Sequence, residues 1–352
     1  MSATSRASEV SRGVISRFNV TERLLGGVRA PRRQPQCATS DAFKMSANAF
    51  ALARFASCAS FVRVRASVAS RERPRALATL AAAPHASLIQ GASRGIGFEL
   101  ARQLLERDGE LFSGRAAGGV VIATCRDPTN AEALNALAKK HGARLRVLRV
   151  DATDVSTIEA AAKIVESEFG RLDFLANVSA VLSDPARGMR PETSILRTEA
   201  EHMLAAYHTN AVGPAMMMKH FAPLMLKTAT GNKKEGGNGG IPVIANWSAR
   251  VSSIGDNALG GWHSYRASKT ALNQLTRNAA IEFGKKKEPI IAMLVHPGTV
   301  DTKLSEPFKK NVPPEKLFTP EFAAGKLLDV IGAATMESSG SLFDYAGEKI
   351  AW

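Results

Sequence analysis

The stretch from Ala86 to Leu105 constrains this chain more than any other. Ala86-Ser87-Leu88-Ile89-Gln90 reads as a short apolar strand. Gly91-Ala92-Ser93-Arg94-Gly95-Ile96-Gly97 follows, and then a helix with Ile96, Leu100, Leu104 and Leu105 on one side. A strand that turns through glycines directly into a helix is the context in which such a turn binds nucleotide phosphates. Gly91 permits the tight turn, Gly95 lets the backbone approach a pyrophosphate, and Gly97 lets helix pack on strand. Amides of the turn and first helical residues, Ser93 to Gly97, then face the phosphates. The spacing is G-x-x-x-G-x-G, without the Gly-Lys-Ser/Thr that closes a P-loop.

The rest of the chain repeats the alternation. Strand-like runs at 120–124, 145–150, 172–177, 241–247, 290–296 and 341–345 alternate with helical patterns at 129–141, 154–169, 199–226, from 265 onward and 320–332. This order predicts an α/β fold: a single doubly wound parallel sheet of about seven strands with helices on both faces. Its ligand crevice would lie beyond the strand C-termini. There the chain places the glycine turn, Arg126, Asp151, Asn177, Ser248 and Pro297-Gly298. After the second strand of a nucleotide-binding sheet, an acidic residue meets the 2′-hydroxyl of NAD and a basic one the 2′-phosphate of NADP. Arg126 stands there, with Arg94 as a second guanidinium and Asp127 one position late, so NADP(H) is the expected cofactor. Asp151 is expected at the adenine, and Thr153 or Asp154 can cap the helix that follows. The methionines at 216–218 read as core packing, and 231–240 as a surface loop.

Tyr265 and Lys269 lie four residues apart in a helical run, which puts a phenol and an ammonium on one face. A phenol titrates near ~10, and a cation one turn away lowers that value. The two form a candidate acid/base unit. Pairs at this spacing are common on helices, so the strand ends around this one give it meaning.

The net charge of +14 suggests a nucleic-acid binder until it is located. Residues 1–84 hold fourteen Arg/Lys against four Asp/Glu, and the remainder thirty-two against twenty-eight. The first segment is rich in Arg, Ser and Ala and poor in acids, as organelle transit peptides are. We expect a disordered leader over 1–84, a plastid (chloroplast) destination with mitochondrion as the alternative, and a catalytic domain over 85–352. The body is nearly balanced, which disfavours nucleic acid. No apolar run is long enough for a membrane span. Of three cysteines, Cys37 and Cys58 fall in the leader, and Cys125 reads as core, leaving no disulfide or cysteine metal cluster in the body.

Together, Gly91…Gly95-Ile96-Gly97, Asp151, Asn177, Asn210, Ser248, Tyr265…Lys269 and Pro297-Gly298 resemble the short-chain dehydrogenase/reductase family, over essentially all of 85–352. The stretch from Ser252 to Lys269 resembles its C-factor/sniffer-type carbonyl reductases. The resemblance implies a Rossmann-type fold and an NADPH-dependent oxidoreductase that interconverts a carbonyl and an alcohol. It makes Tyr265 the proton donor and Lys269 the residue that lowers its pKa and bonds the nicotinamide ribose. It also has Ser248 hold the carbonyl oxygen, Asn210 anchor a water in the proton path, and Thr299 to Thr302 cover the nicotinamide amide. A small-molecule substrate and a homodimer or homotetramer through the helices carrying Asn210 and Tyr265 are implied as well. Three positions depart from the pattern. The family's Asn-Asn-Ala-Gly is here Asn177-Val178-Ser179-Ala180. Its serine often falls one residue later, at Ala249, with Ser252 and Ser253 as other candidates. His263 replaces a common tyrosine. The first two departures motivate an alternative: a non-catalytic NADP(H)-binding scaffold or redox sensor of the same fold. The loops 181–198 and after Thr302 (Leu304, Pro307, Phe308, Val312, Pro313) would shape the substrate pocket.

Overall fold

Strand β1 (Ala86–Gln90) is buried along its whole length and pairs in parallel with β2 (Val120–Cys125) on one side and β4 (Phe174–Asn177) on the other. This computed structural model describes residues 85–107, 119–234 and 240–352; the expected leader lies outside them. The sheet runs β3 (Leu145–Arg149), β2, β1, β4, β5 (Val243–Trp247), β6 (Ile291–His296), β9 (Leu342–Asp344), all parallel. A short antiparallel strand, β10 (Lys349–Ile350), follows β9 at the edge. The seven parallel strands are those expected; β10 is an addition the sequence pattern missed, because a two-residue strand carries no periodicity. Strand order reverses between β1 and β4, which opens a crevice at their C-terminal ends.

Alternate side chains of each strand pack on opposite faces. Ile89, Val121 and Ala123 join Leu100 and Leu104 of α1 (Gly95–Glu106), Leu134 of α2 (Glu132–His141) and Leu327 of α7 (Pro320–Gly332). Leu88 and Ile122 join the other layer, with Ile158 and Val165 of α3 (Val155–Phe169). That layer also takes Met217, Phe221 and Met225 of α5 (Gly213–Lys234) and Ala280 of α6 (His263–Gly284). The methionines are therefore core, as their spacing implied. Between them the two layers bury the sheet on both faces, which is why its strands read as unbroken apolar runs.

Two segments differ from the sequence reading. The expected helix 199–226 is α4 (Ala200–Tyr207), a π turn (His208–Val212) and then α5, which continues to Lys234 through residues expected to be loop. Tertiary contact overrides the low helix propensity of Gly231: buried Asn232 accepts from Arg171 at 3.0 Å and donates to the Gly240 carbonyl at 3.1 Å. After β6, Thr299–Val300 (β7) pairs with Leu317–Phe318 (β8), closing the segment between them into a loop. Among the described residues no helix is long and apolar enough to cross a membrane.

Candidate active site

Helix α6 starts where three residues in succession have positive φ, Gly260, Gly261 and Trp262; at Trp262, φ is 52°. A bulky residue there is strained. It is held by its own N–H, which donates to the Glu192 carbonyl at 2.6 Å, and by packing on Phe308 with ring centroids 4.9 Å apart. The buried Glu192 carboxylate accepts from both the backbone N–H and the hydroxyl of Ser264, at the first turn of α6. A second tie lies one turn on. Asn210, in the π turn, is fully buried; its amide accepts from Val181 N–H and donates to Val181 C=O, both at 2.8 Å, and to Ser268 Oγ at 3.0 Å. π turns concentrate at functional sites, and this one aims Asn210 at the loop beyond β4. Asn210 and Glu192 thus fasten the 178–199 loop to the helix that carries Tyr265 and Lys269.

Tyr265 is 6 % exposed and packs with Leu182 and Ala249, bordered by Val251, Trp262, Leu304 and Phe308. Its hydroxyl makes no hydrogen bond with another described residue. Lys269 is 2 % exposed, donates to the Trp247 carbonyl at 2.5 Å, and sits 5.9 Å from the centroid of the Tyr265 ring. The expected lowering of the phenol pKa by the ammonium is reversed here. Burial pushes Tyr265 above the ordinary phenol range and brings Lys269 down to about 7. Two buried groups without a counter-charge each resist ionisation, and desolvation outweighs their mutual attraction. Burial thus favours the uncharged form of both groups.

Ser248 is not brought to Tyr265. Its hydroxyl donates to Asn273 Oδ1 at 2.6 Å and approaches Ser252 Oγ at 3.2 Å; Ser252 in turn donates to the Ala249 carbonyl at 2.6 Å and accepts from Asn273 Nδ2 at 2.7 Å. Ser253 Oγ accepts from Asp256 N–H. The reason is alternation just past β5: consecutive side chains point to opposite sides. Ser248 turns toward α6 residue Asn273, and Ala249 turns toward Tyr265.

The crevice side is built from the glycine turn. Gly91 has φ 89°, and its N–H and that of Ala92 both donate to the Thr124 carbonyl, pinning the turn to β2. A Cβ on Gly97 would lie 2.2 Å from the Gly91 carbonyl oxygen, so only glycine lets α1 start this close to β1. A Cβ on Gly95 would lie 3.3 Å from the Thr302 methyl, which places Thr302 opposite the turn across the crevice. Arg94 occupies the N-cap of α1 without a side-chain cap bond, so the first amides of α1, among them that of Ile96, keep no side-chain partner. Arg94 and Arg126 are exposed, and neither pairs with a carboxylate of the described residues. Asp127 is fully engaged: its carboxylate accepts from the N–H groups of Thr129 and Asn130 and from both their side chains. Glycine turn, open helix terminus and two exposed guanidiniums fit a dinucleotide.

Other expected contacts are satisfied within the protein. Asp151 accepts from the N–H and hydroxyl of Thr153, and Asp154, not Thr153, caps α3 through Ser156 N–H. The Asn177 amide donates to Asn246 at 2.7 Å, and Asn246 to Thr276 at 2.8 Å. That side chain therefore braces β4 to β5 and α6 and does not reach into the crevice. Ser179 lies against Gly91, and its N–H donates to Gln90 Oε1. Pro297-Gly298 leads into Thr299 of β7, with Gly298 packed on Phe318. Beside Pro297, burial pushes His296 down to about 4, with Arg250 adding to the effect and Asp344 opposing it. The half-buried His263 opens α6. Sequence reasoning missed Glu192, Asn246 and Asn273. The available signals were an acidic residue, Glu192, just before the 199–226 run and two asparagines in otherwise apolar or helical runs.

A family model described as "short chain dehydrogenase" matches residues 85–313. The chain is 30 % identical over 274 residues to 1-hydroxy-2-glutathionyl-2-methyl-3-butene dehydrogenase of Rhodococcus sp. (strain AD45), covering 75 % of this chain and 98 % of that protein. The structure is similar to that of NADPH-bound carbonyl reductase from chicken fatty liver, with TM-score 0.64 and 28 % identity, over 77 % of this chain and 99 % of that one. It also shares its fold with the carbonyl reductase Sniffer of D. melanogaster, with TM-score 0.63 and 24 % identity, over 77 % and 100 % of the two chains.

Proposed function

The chain belongs to the short-chain dehydrogenase/reductase family of oxidoreductases, and on that footing we propose that it is an NADPH-dependent carbonyl reductase with Tyr265 as its proton donor. The observation that carries this reading is the phenol of Tyr265, nearly buried beside Leu182 and Ala249 and one helical turn from Lys269, whose ammonium lies 5.9 Å from the ring centroid. A group that must give a proton at neutral pH has to be protonated there, as a phenol is. An alkoxide forming against it is the stronger base and takes the proton.

When bound, the dinucleotide supplies the hydride. The protein's part is placement and proton supply. The free amides at the start of α1 suit the pyrophosphate. Arg126 and Arg94 suit a 2′-phosphate, while the engagement of Asp127 removes the carboxylate that would favour a bare ribose. Thr302 stands over the glycine turn. Lys269, which titrates near neutrality, can restore the proton that Tyr265 gives up. Asn210 and Glu192 act at one remove, by holding the pocket loop against α6.

The test is Tyr265→Phe in the full chain. Turnover of reactive carbonyls, followed by consumption of NADPH, should fall by about 10²–10⁴-fold, the span general acid catalysis supplies. NADPH binding should be retained. The alternative of a non-catalytic NADP(H) sensor draws on Ala249 at the position of the family's serine; it is favoured if wild type binds NADPH and reduces no carbonyl.

A further inference from the structure

Helix α7 does not cover the sheet evenly. Polar contacts tie it to α1: Arg102 pairs with Glu321 at 2.9 Å, Arg107 with Asp329 at 3.0 Å, and Gln103 donates to the Glu321 carbonyl at 2.9 Å. Ala324, Leu327, Leu328 and Ile331 face the core. The neighbouring stripe is Lys326, Asp329, Val330 and Ala333, at the i, i+3, i+4, i+7 spacing of one helix face. It borders a cavity of about 580 Å³, whose other walls include Met293 of β6, Phe343 of β9 and Tyr345. That volume falls in the range of small-molecule sites, about 300–1,000 Å³. The cavity shares no residue with the glycine turn or with the surroundings of Tyr265.

The lining is apolar with few polar groups. Met293, Phe343, Tyr345 and Val330 offer thioether, aromatic and branched aliphatic surface, which suits a flat ring. The Lys326 ammonium pairs with no carboxylate of the described residues and lies 5.9 Å from the Phe322 ring centroid. The Tyr345 hydroxyl makes no hydrogen bond among the described residues, while its ring packs on Phe318 with centroids 4.6 Å apart. Asp329 is already engaged by Arg107, so the uncompensated charge at this cavity is positive.

We propose that the cavity is a second ligand site for a small aryl monoanion, a carboxylate or sulfonate, with its ring against Phe343, Tyr345 and Met293 and its charge on Lys326. A second negative charge on the ligand would meet Asp329, which favours the monoanion.

The test titrates the full chain with 8-anilinonaphthalene-1-sulfonate, followed by dye fluorescence, and displaces the dye with naphthalene-1-sulfonate or the neutral naphthalene-1-methanol. Wild type should show a saturable dye site. The sulfonate should displace the dye at about 2–5-fold lower concentration than the alcohol, the strength of one exposed ion pair. Lys326→Glu should remove or invert that preference. Ala333→Trp should fill the cavity and abolish the saturable signal; Ala346→Trp fills it from the turn after Tyr345 should the first variant fail to fold. Both alanines are exposed, and both variants should melt as wild type does. Dye binding that neither folded tryptophan variant weakens lies elsewhere and overturns the proposal, as does a sulfonate preference that survives Lys326→Glu. A wild type without a saturable dye site overturns it too; dissociation of a dimer by Ala333→Trp in sedimentation would then assign the cavity to a second copy of the chain.

Discussion

Lys269 imposes a stability penalty that depends on pH, and replacing it with methionine should expose that dependence. Its ammonium is 2 % exposed, has no carboxylate beside it, and titrates at about 7, against 10.5 for an ordinary lysine. Lysine is a base, so between these two values the unfolded chain holds the proton more tightly than the folded one. Stability therefore rises with pH across this window and is flat below about pH 7, where both states are protonated. Integrating one site over the window gives a penalty of about 4 kcal/mol at pH 7, falling to about 2 kcal/mol at pH 9. Lys269→Met removes the penalty at every pH. It also removes the bond to the Trp247 carbonyl, which costs about 1–3 kcal/mol if that acceptor is left unpaired. The variant should thus be the more stable protein at neutral pH, and the two should converge as the pH approaches 9. Urea midpoints of both proteins, measured without added dinucleotide from about pH 6 to about pH 9, give the difference directly. Other titrating groups are common to both and cancel, and Tyr265 ionises above the window. Parallel stability curves, separated by a constant gap, would refute the burial argument. The same variant should lose turnover, which would make Lys269 a group kept against the fold's own preference.

Arg126→Glu should weaken NADPH binding by about 10–100-fold, the worth of a charge-assisted bond to phosphate, and spare NADH; titration of each nucleotide checks it, and equal losses would reject the 2′-phosphate assignment. Glu192→Ala leaves the buried N–H and hydroxyl of Ser264 without their acceptor and should cost about 1–3 kcal/mol by urea unfolding, with KM rising more than kcat falls. Glu192→Gln should recover most of the stability; a larger loss in Gln than in Ala would contradict the capping role. Gly97→Ala drives a methyl into the Gly91 carbonyl and should cost about 1–3 kcal/mol together with most of the NADPH affinity, seen as the loss of ligand-induced thermal stabilisation. Ser248→Ala should destabilise by about 1 kcal/mol through the Asn273 network and leave turnover nearly unchanged; a turnover loss comparable to that of Tyr265→Phe would return Ser248 to the reacting centre.

The sheet was legible in the sequence because burial on both faces forces each parallel strand to be a continuous apolar run, and the glycine turn fixes where nucleotide chemistry begins. What escaped was set by contacts between segments far apart in the chain. α5 runs through Gly231 because Asn232 is anchored by Arg171 and Gly240. Helix propensity, a local quantity, cannot register that. Asn177 and Asp151 stood at the expected strand ends, yet the side chain of one is taken by Asn246, sixty-nine residues away, and that of the other by Thr153, two residues away. A strand end fixes where a backbone atom is, and leaves the side chain to whichever partner lies nearest.

The same distinction governs Tyr265 and Lys269. Spacing put Tyr265 and Lys269 on one helix face, and the structure keeps them there, but spacing implied an ion-pair logic that burial reverses. Proximity alone sets the sign of a coulombic interaction; solvent access decides whether the charges exist to interact. At this pair burial therefore outranks spacing, and the pH dependence of the stability difference between wild type and Lys269→Met measures by how much.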